Sequence, residues 1–286
     1  MKKLCVIGAG TMGAGIAQVA ASHGIETVIS DVDRKFIDKG IETIRGFIGK
    51  KLEKNKISQM EHDSILGRIS GTKGIRDAVD NADIVIEAVF ENMQVKQQIF
   101  QELDTLCPEE VILASNTSTL SISEIASVTR HPGRVIGTHF FSPVPVMKLV
   151  EVVRGEKTSR TVFDSAMTFC EQIGKTAIAA KDVPGFIVNR FLCLLYNEAA
   201  NEINDGYATA RDIDLGLKLG ANHPMGIVEL MDLAGVDVVF NALTALYDMT
   251  GEHRYKPSPL FRKMVDEGRL GRKMGKGFYE YPERLR

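Results

Sequence analysis

Three shortages narrow this chain of 286 residues before any motif is read. Its four cysteines, Cys5, Cys107, Cys170 and Cys193, are scattered and form no CxxC pair. A disulfide framework or a thiolate metal site is therefore not indicated. Cys5 sits in the apolar run LCVI and reads as a buried, reduced thiol. No apolar stretch approaches the roughly 20 residues that a membrane-spanning helix needs. The opening, MKKLCVIGAG, has too short an apolar run for a signal peptide. Charge of one sign is also lacking: the formal net charge is −2, which gives no global field for nucleic acid or an anionic membrane. The tail GRLGRKMGKGFYEYPERLR is basic, but its glutamates and aromatics argue against a nucleic-acid arm. No internal repeat or low-complexity tract is present. The expectation is a cytoplasmic enzyme with no metal, no nucleic-acid partner and no membrane partner.

What the chain does have is the make-up of an ordinary globular protein: 44% apolar and 25% charged residues, over a length that suggests two domains. Lys3–Ile7 reads as a strand, Gly8–Gly15 as a glycine-rich turn, Ile16–Ser22 as a helix and Glu26–Ser30 as a second strand ending at Asp31. That is one βαβ unit in about 30 residues. A long helix over Arg34–Asn55 follows from Phe36, Ile37, Ile41, Ile44, Ile48 and Leu52 at helical spacing, and a shorter one over Ser58–Arg68. Further strands are expected at Ile84–Val89, Val111–Ala114, Val135–Phe140, Met147–Val153 and Thr176–Ala180. Helices near Val95–Thr105, Ser121–Val128 and Thr161–Ile173 separate most of them. The alternation predicts an α/β fold with a mainly parallel sheet of Rossmann type, with an antiparallel pair open around Pro143–Pro145. After Val183-Pro184-Gly185 only helical patterns remain. The boundary is therefore drawn at 1–183 for the nucleotide-binding domain and 184–286 for an all-helical C-terminal domain.

Gly8-Ala9-Gly10-Thr11-Met12-Gly13 matches GxGxxG. The hexapeptide alone is a weak signal. Here it follows a strand and opens a helix, which sets a pyrophosphate on the positive helix end. Asp31, closing the next strand, is placed to accept from a ribose diol and to repel a 2′-phosphate, so NAD is favoured over NADP. Arg34, three residues on, keeps NADP open.

The segment RVIGTHFFSPVPVMKLVE sets His139 and Glu151 symmetrically about Pro145. Two strands folding back at the prolines would bring imidazole and carboxylate together, the pairing a general base needs to work near neutral pH. Periodicity alone leaves a structural histidine equally open. Ser115-Asn116-Thr117-Ser118 follows a strand at a carboxyl end, where open α/β sheets bind ligands. It also reads as a Ser/Thr cap for the helix after it. Lys50, Lys51, Lys54 and Lys56 crowd the end of the long helix, either as cations for a phosphate-bearing ligand or as a solvated end that suits the helix dipole.

GAGTMGAGIA, ASNTSTLSI, GTHFFSPVPVMKLVE, VPGFIVNR, ANHPMG and GRKMGKGFYEY together resemble the short-chain L-3-hydroxyacyl-CoA dehydrogenases, over essentially the whole chain and in order. The resemblance implies NAD-dependent oxidation of a short (S)-3-hydroxyacyl-CoA to the 3-ketoacyl-CoA, and the reverse. It implies His139 as general base, Glu151 as its orienting partner, and Ser118 and Asn189 as polar helpers at substrate or cofactor. On the cofactor side it implies Glu91, Lys96, Ser118, Ser142 and Lys273 beside the glycine turn. On the substrate side it implies Ser118, Asn189, Asn222, Lys50 and Lys54. It also implies a homodimer, to which the leucine-rich helical region could contribute surface. Asn222 reads equally as a helix-ending turn before Pro224. Two departures stand out: Ser142 replaces the family's usual asparagine, and GIVEL at Ile227 replaces the commoner GPLEL. Competing expectations are another β-hydroxyacid dehydrogenase, which would use a catalytic lysine, and a non-catalytic crystallin-like protein on the same scaffold.

Overall fold

The computed structural model describes residues 1–281; residues 282–286 of the basic tail lie outside the described residues. The chain divides into two compact units, Met1–Phe186 and a second beginning at Ile187. In the first, the order is β1 (Lys3–Ile7), α1 (Thr11–Ser22), β2 (Glu26–Asp31), α2 (Arg34–Glu53), α3 (Gln59–Gly67), β3 (Ile69–Lys73), α4 (Ile75–Ala78), β4 (Ile84–Glu87), α5 (Met93–Leu106), β5 (Ile112–Ser115), α6 (Ile122–Ala126), β6 (Val135–Phe140), β7 (Leu149–Arg154), α7 (Arg160–Gln172) and β8 (Thr176–Lys181). One sheet runs β3-β2-β1-β4-β5-β6-β7-β8. All neighbours pair parallel except β6 with β7.

Strand side chains alternate between faces, so a sheet covered on both sides needs apolar residues at odd and even positions alike. This sheet has them. Leu4, Val6, Ile84, Ile86, Ile112 and Ile136 join one core with Ile16 of α1, Ile37 and Ile44 of α2, and Phe169 of α7. Cys5, Ile7, Val85, Leu113 and Val135 join the other with Phe100 and Leu103 of α5 and Ile125 of α6. Cys5 is fully buried, and burial pushes its thiol pKa up, as expected for an inert thiol.

Several elements differ from expectation in their bounds and α4 is unannounced; two differences show their physical reason. The edge strand β3, sequence ISGTK, carries a single large apolar residue and no fully buried position, so no hydrophobic pattern announces it. It forms because its backbone pairs with β2 from Thr27–Ile69 to Asp31–Lys73. The helix over Ser58–Arg68 is shorter, Gln59–Gly67, because Ser58 is its cap: the Ser58 hydroxyl accepts from Glu61 N–H while the Glu61 carboxylate accepts from Ser58 N–H.

The second unit holds α8 (Val188–Asn204), α9 (Ala210–Gly220), α10 (Ile227–Ala234), α11 (Val236–Thr250) and α12 (Pro259–Asp266). They pack around Tyr196, Ala200, Val228, Met231, Leu243, Leu246 and Phe261. Two buried acids fasten the C-terminal GFYEY segment to it. Asp232 accepts from the Phe278 and Tyr279 N–H groups, and Asp214 accepts from the Tyr279 hydroxyl and from Val228 N–H at the start of α10. Leu219 and Val238 of this unit remain exposed. Among the described residues, no helix is long and apolar enough to cross a membrane.

The glycine turn is fixed by two contacts. Gly8 has φ +105°, a conformation L side chains rarely adopt. A Cβ on Gly13 would lie 1.9 Å from the Gly8 carbonyl oxygen. Gly13→Ala must therefore push α1 off the strand end, a strain of about 1–3 kcal/mol. The expected result in a thermal melt is an unfolding midpoint lowered by several degrees, at roughly 2–4 °C per kcal/mol for a domain of this size. An unchanged midpoint would contradict the turn geometry described here.

Candidate active site

The one antiparallel pairing of the sheet puts His139 of β6 directly opposite Glu151 of β7. Cross-strand partners share a face, and His139 Nδ1 lies 2.6 Å from Glu151 Oε2. Both side chains are almost wholly buried, at 5% and 0% exposure. The His139 ring also packs on Phe141 and Phe186, with centroids at 4.4 and 5.7 Å. A carboxylate acceptor at Nδ1 assigns the proton to that nitrogen and leaves the Nε2 lone pair free for a proton from a ligand.

Next along the sheet, β4 and β5 end in a charged network that is buried at Glu87 and Lys96 and reaches the surface at Glu91. Glu87 is fully buried; its Oε1 accepts from Lys96 Nζ and from Val89 N–H, both at 2.7 Å, and its Oε2 from the Ser115 hydroxyl at 2.7 Å. The same Lys96 ammonium lies 3.4 Å from Glu91 Oε2. Glu91 Oε1 then accepts from the Thr117 hydroxyl at 2.5 Å, Ser118 N–H at 2.9 Å and Thr119 N–H at 3.2 Å. Burial raises the Glu91 pKa, but Lys96 and these donors outweigh it and hold the carboxyl below the ordinary glutamate value. Asn116 Oδ1 accepts from Phe140 N–H at 3.0 Å, which ties the loop after β5 to the residue following His139. The helix-cap reading of Ser115–Ser118 is not what forms: Ser121 caps α6, with its hydroxyl accepting from Glu124 N–H.

The glycine turn opens a cleft of about 610 Å³ lined by Gly8, Ala9, Gly10, Thr11, Asp31, Phe36, Val89 and Phe90 among others. Asp31 Oδ2 accepts from Ala9 N–H at 2.8 Å and Oδ1 from Val32 N–H at 2.7 Å, which sets the carboxylate across from the glycines. No side chain caps the start of α1 and no acid stands in its first turn, so Thr11, Met12 and Gly13 present backbone N–H groups to a ligand. That donor set, with the helix dipole, fits the pyrophosphate of a dinucleotide. Arg34 Nε donates to Asp38 Oδ1 at 2.8 Å, and its Nη1 to the Gly71 carbonyl of β3 at 3.4 Å.

The remaining expected residues are spread out. Ser118 is partly exposed and Ser142 exposed, both in the first unit. Lys50 stands in the last turn of α2 and Lys54 caps it; both are exposed. Asn189 lies in the first turn of α8. Asn222, at φ +57°, follows α9. Lys273 donates to both oxygens of Asp237 at 2.6 and 2.7 Å. Lys96 departs from expectation. The resemblance implies a cofactor contact, whereas its ammonium has no exposed surface and is enclosed by Glu87 and Glu91. What it holds in place is Glu91, 3.4 Å from its ammonium. The sequence does not single out Glu87, and it marks Asn116 only as part of the segment Ser115–Ser118. An acid closing the apolar strand IVIE was the available signal, since a buried carboxylate needs a cation nearby, and Lys96 is nine residues on.

Comparisons with known proteins bear on the whole chain. Residues 3–183 match the 3-hydroxyacyl-CoA dehydrogenase NAD binding domain, and residues 185–281 match the 3-hydroxyacyl-CoA dehydrogenase C-terminal domain. A probable 3-hydroxybutyryl-CoA dehydrogenase of Bacillus subtilis is 45% identical over 284 residues, covering 99% of both chains. A 3-hydroxybutyryl-CoA dehydrogenase of Clostridioides difficile is 45% identical, covering 98% of this chain and 99% of its own. The crystal structure of an (S)-3-hydroxybutyryl-CoA dehydrogenase from Ralstonia eutropha superposes with a TM-score of 0.94 at 41% identity, over 99% of this chain and 100% of that one. With both halves matched and full-length relatives at this identity, the chain belongs to the 3-hydroxyacyl-CoA dehydrogenase family.

Proposed function

We propose that this protein interconverts short-chain (S)-3-hydroxyacyl-CoA and 3-ketoacyl-CoA with NAD, 3-hydroxybutyryl-CoA and acetoacetyl-CoA being the expected pair since its relatives are named for the former. The observation that carries the reading is the buried 2.6 Å contact of His139 Nδ1 with Glu151. Bound NAD supplies the hydride acceptor. His139 Nε2 takes the 3-hydroxyl proton as C3 loses hydride, and Glu151 stabilises the imidazolium that results. In reduction the same Nε2–H returns the proton to the oxygen. Ser118 is assigned to the substrate oxygen or the cofactor, held by Glu91 through its N–H. Asn189 and Asn222 in the second unit, and Lys50 and Lys54 on α2, are assigned to substrate on the family resemblance. Ser142 and Lys273 are assigned to the cofactor on the same ground. The chain is proposed to work as a cytoplasmic homodimer with a nucleotide-binding domain over 1–183 and a substrate and dimerisation domain over 184–286.

NAD is preferred over NADP because the Asp31 carboxylate faces the turn that would receive the ribose, and Arg34 is engaged by Asp38. A carboxylate there opposes a 2′-phosphate.

Acetoacetyl-CoA and NADH, followed by loss of the reduced cofactor's absorbance, test the reaction; no turnover at any acyl chain length would overturn it. His139→Gln and Glu151→Gln are expected to lower kcat by about 10²–10⁴-fold, the usual worth of positioned acid–base help. NADH affinity, read by fluorescence, should be retained in both variants, and near-normal turnover in either would remove its assigned role. In the parallel assay with NADPH, turnover should be far slower; equal rates would sink the assignment of Asp31.

A further inference from the structure

The turn that joins His139 to Glu151 is held by a buried cation that the reaction above does not use. Lys175 stands between α7 and β8 and is only 8% exposed. Its Nζ donates to the carbonyl oxygens of Val144, at 2.5 Å, and Met147, at 2.7 Å. The next N–H, of Thr176, donates to the Lys148 carbonyl at 2.8 Å. Within the turn, the N–H groups of Val146 and Met147 both go to the Pro143 carbonyl. No carboxylate pairs with Lys175 among the described residues, and burial draws its pKa below the ordinary lysine value. Burying an ammonium without a counter-charge is unfavourable, and an apolar side chain of equal length would fill the same space without that cost. Packing alone therefore does not account for a lysine here.

From the other side the same turn leans on the helix that follows the glycine motif. Val144 is buried in the core shared with Ile16 and Ala14 of α1. A Cβ added to Gly15 would lie 2.9 Å from Val144 Cβ. The segment is thus gripped between α1 and Lys175, and its two ends are the strands that carry the base and its carboxylate.

We propose that Lys175 is a positioning residue for hydride transfer: its ammonium fixes the β6–β7 turn against α1, so that Ser142 and the His139–Glu151 pair meet cofactor and substrate at one set distance. The inference rests on the dehydrogenase reading above. Displacement of reacting groups by about 1 Å can cost on the order of 10² in rate, so the effect belongs in kcat rather than in ligand affinity.

The test compares the unaltered chain with Lys175→Met, Lys175→Arg and Gly15→Ala. Acetoacetyl-CoA reduction is measured per NADH-binding site counted by fluorescence titration, with a thermal melt of each protein. Lys175→Met is expected to lower kcat roughly tenfold to a hundredfold, while KM and NADH affinity stay close to those of the unaltered chain. Lys175→Arg, which keeps the charge and the donors, should recover much of the loss. Gly15→Ala presses on Val144 from the opposite side and should show the same kcat-selective loss, which decides the matter if Lys175→Met does not fold. A lower melting point with unchanged kcat per binding site in the Lys175 and Gly15 variants would reduce Lys175 to a stability residue and overturn the proposal. If the unaltered chain itself fails to oxidise NADH with 3-ketoacyl-CoA substrates, the dehydrogenase reading falls and this inference with it; turnover in the unaltered chain and in Lys175→Met alike removes only the inference.

Discussion

The contact between His139 and Glu151 depends on a single reversal of strand direction. Seven strand pairings build the sheet, and β6 with β7 is the one that runs antiparallel. In an antiparallel pair, residues opposite one another lie close and on one face. His139↔Glu151 is such a pair, with Thr138↔Val152 and Phe140↔Val150 on either side. A slip of one residue would turn the carboxylate to the other face and strand it in an apolar core. Register is therefore protected by the same burial that makes the pair useful. Val150 and Val152 must enter the core with Phe140, and that requirement delivers Glu151 to the histidine.

Elsewhere the fold uses buried charge to hold backbone in place. Glu87 alone at the end of β4 would be an uncompensated charge. Lys96 from α5 answers it and at the same time reaches Glu91, whose second oxygen gathers the loop of Thr117, Ser118 and Thr119. Three elements, β4, α5 and the segment after β5, are thereby locked through two carboxylates and one ammonium. Buried ion pairs add little net stability by themselves, but removing one partner is severe. Such a network suits a place where position matters more than stability, here the carboxyl ends of parallel strands where α/β sheets take their ligands.

The sequence made this legible unevenly. Apolar runs such as LCVI and IVIE, and their regular alternation with amphipathic helices, announce a sheet covered on both faces. The glycines announce the turn. The symmetric spacing of His139 and Glu151 about Pro145 anticipates the hairpin because period two and a tight reversal leave few other outcomes. Edge strand β3 was not legible, since its pairing rests on backbone groups that every sequence shares. Nor was the burial of Lys96. A lysine at a helical position reads as a solvated face until its partner Glu87, on a different element, is brought beneath it. The Ser115–Ser118 stretch could be read as a cap because Ser and Thr serve caps and ligands with the same hydroxyl. What decides is that Ser121 stands nearer the helix start.

A further constraint follows from how many of these residues lie in one compact unit. The glycine turn, Asp31, Ser118, His139 and Glu151 all belong to Met1–Phe186. The strand that carries His139 is tied to its neighbours at three points: Phe140 N–H to Asn116, the β7 pairing, and the turn that meets α1 at Val144. Of these, α1 also lines the cleft at the glycine turn, through Thr11 and Ala14. Hydride transfer needs donor carbon, acceptor ring and base held at contact distance at once. A histidine on a separate loop would have to be placed anew at each turnover. Here the antiparallel strand pair makes His139 part of the sheet that carries the glycine turn, so the placement of its imidazole relative to that turn is set when the protein folds.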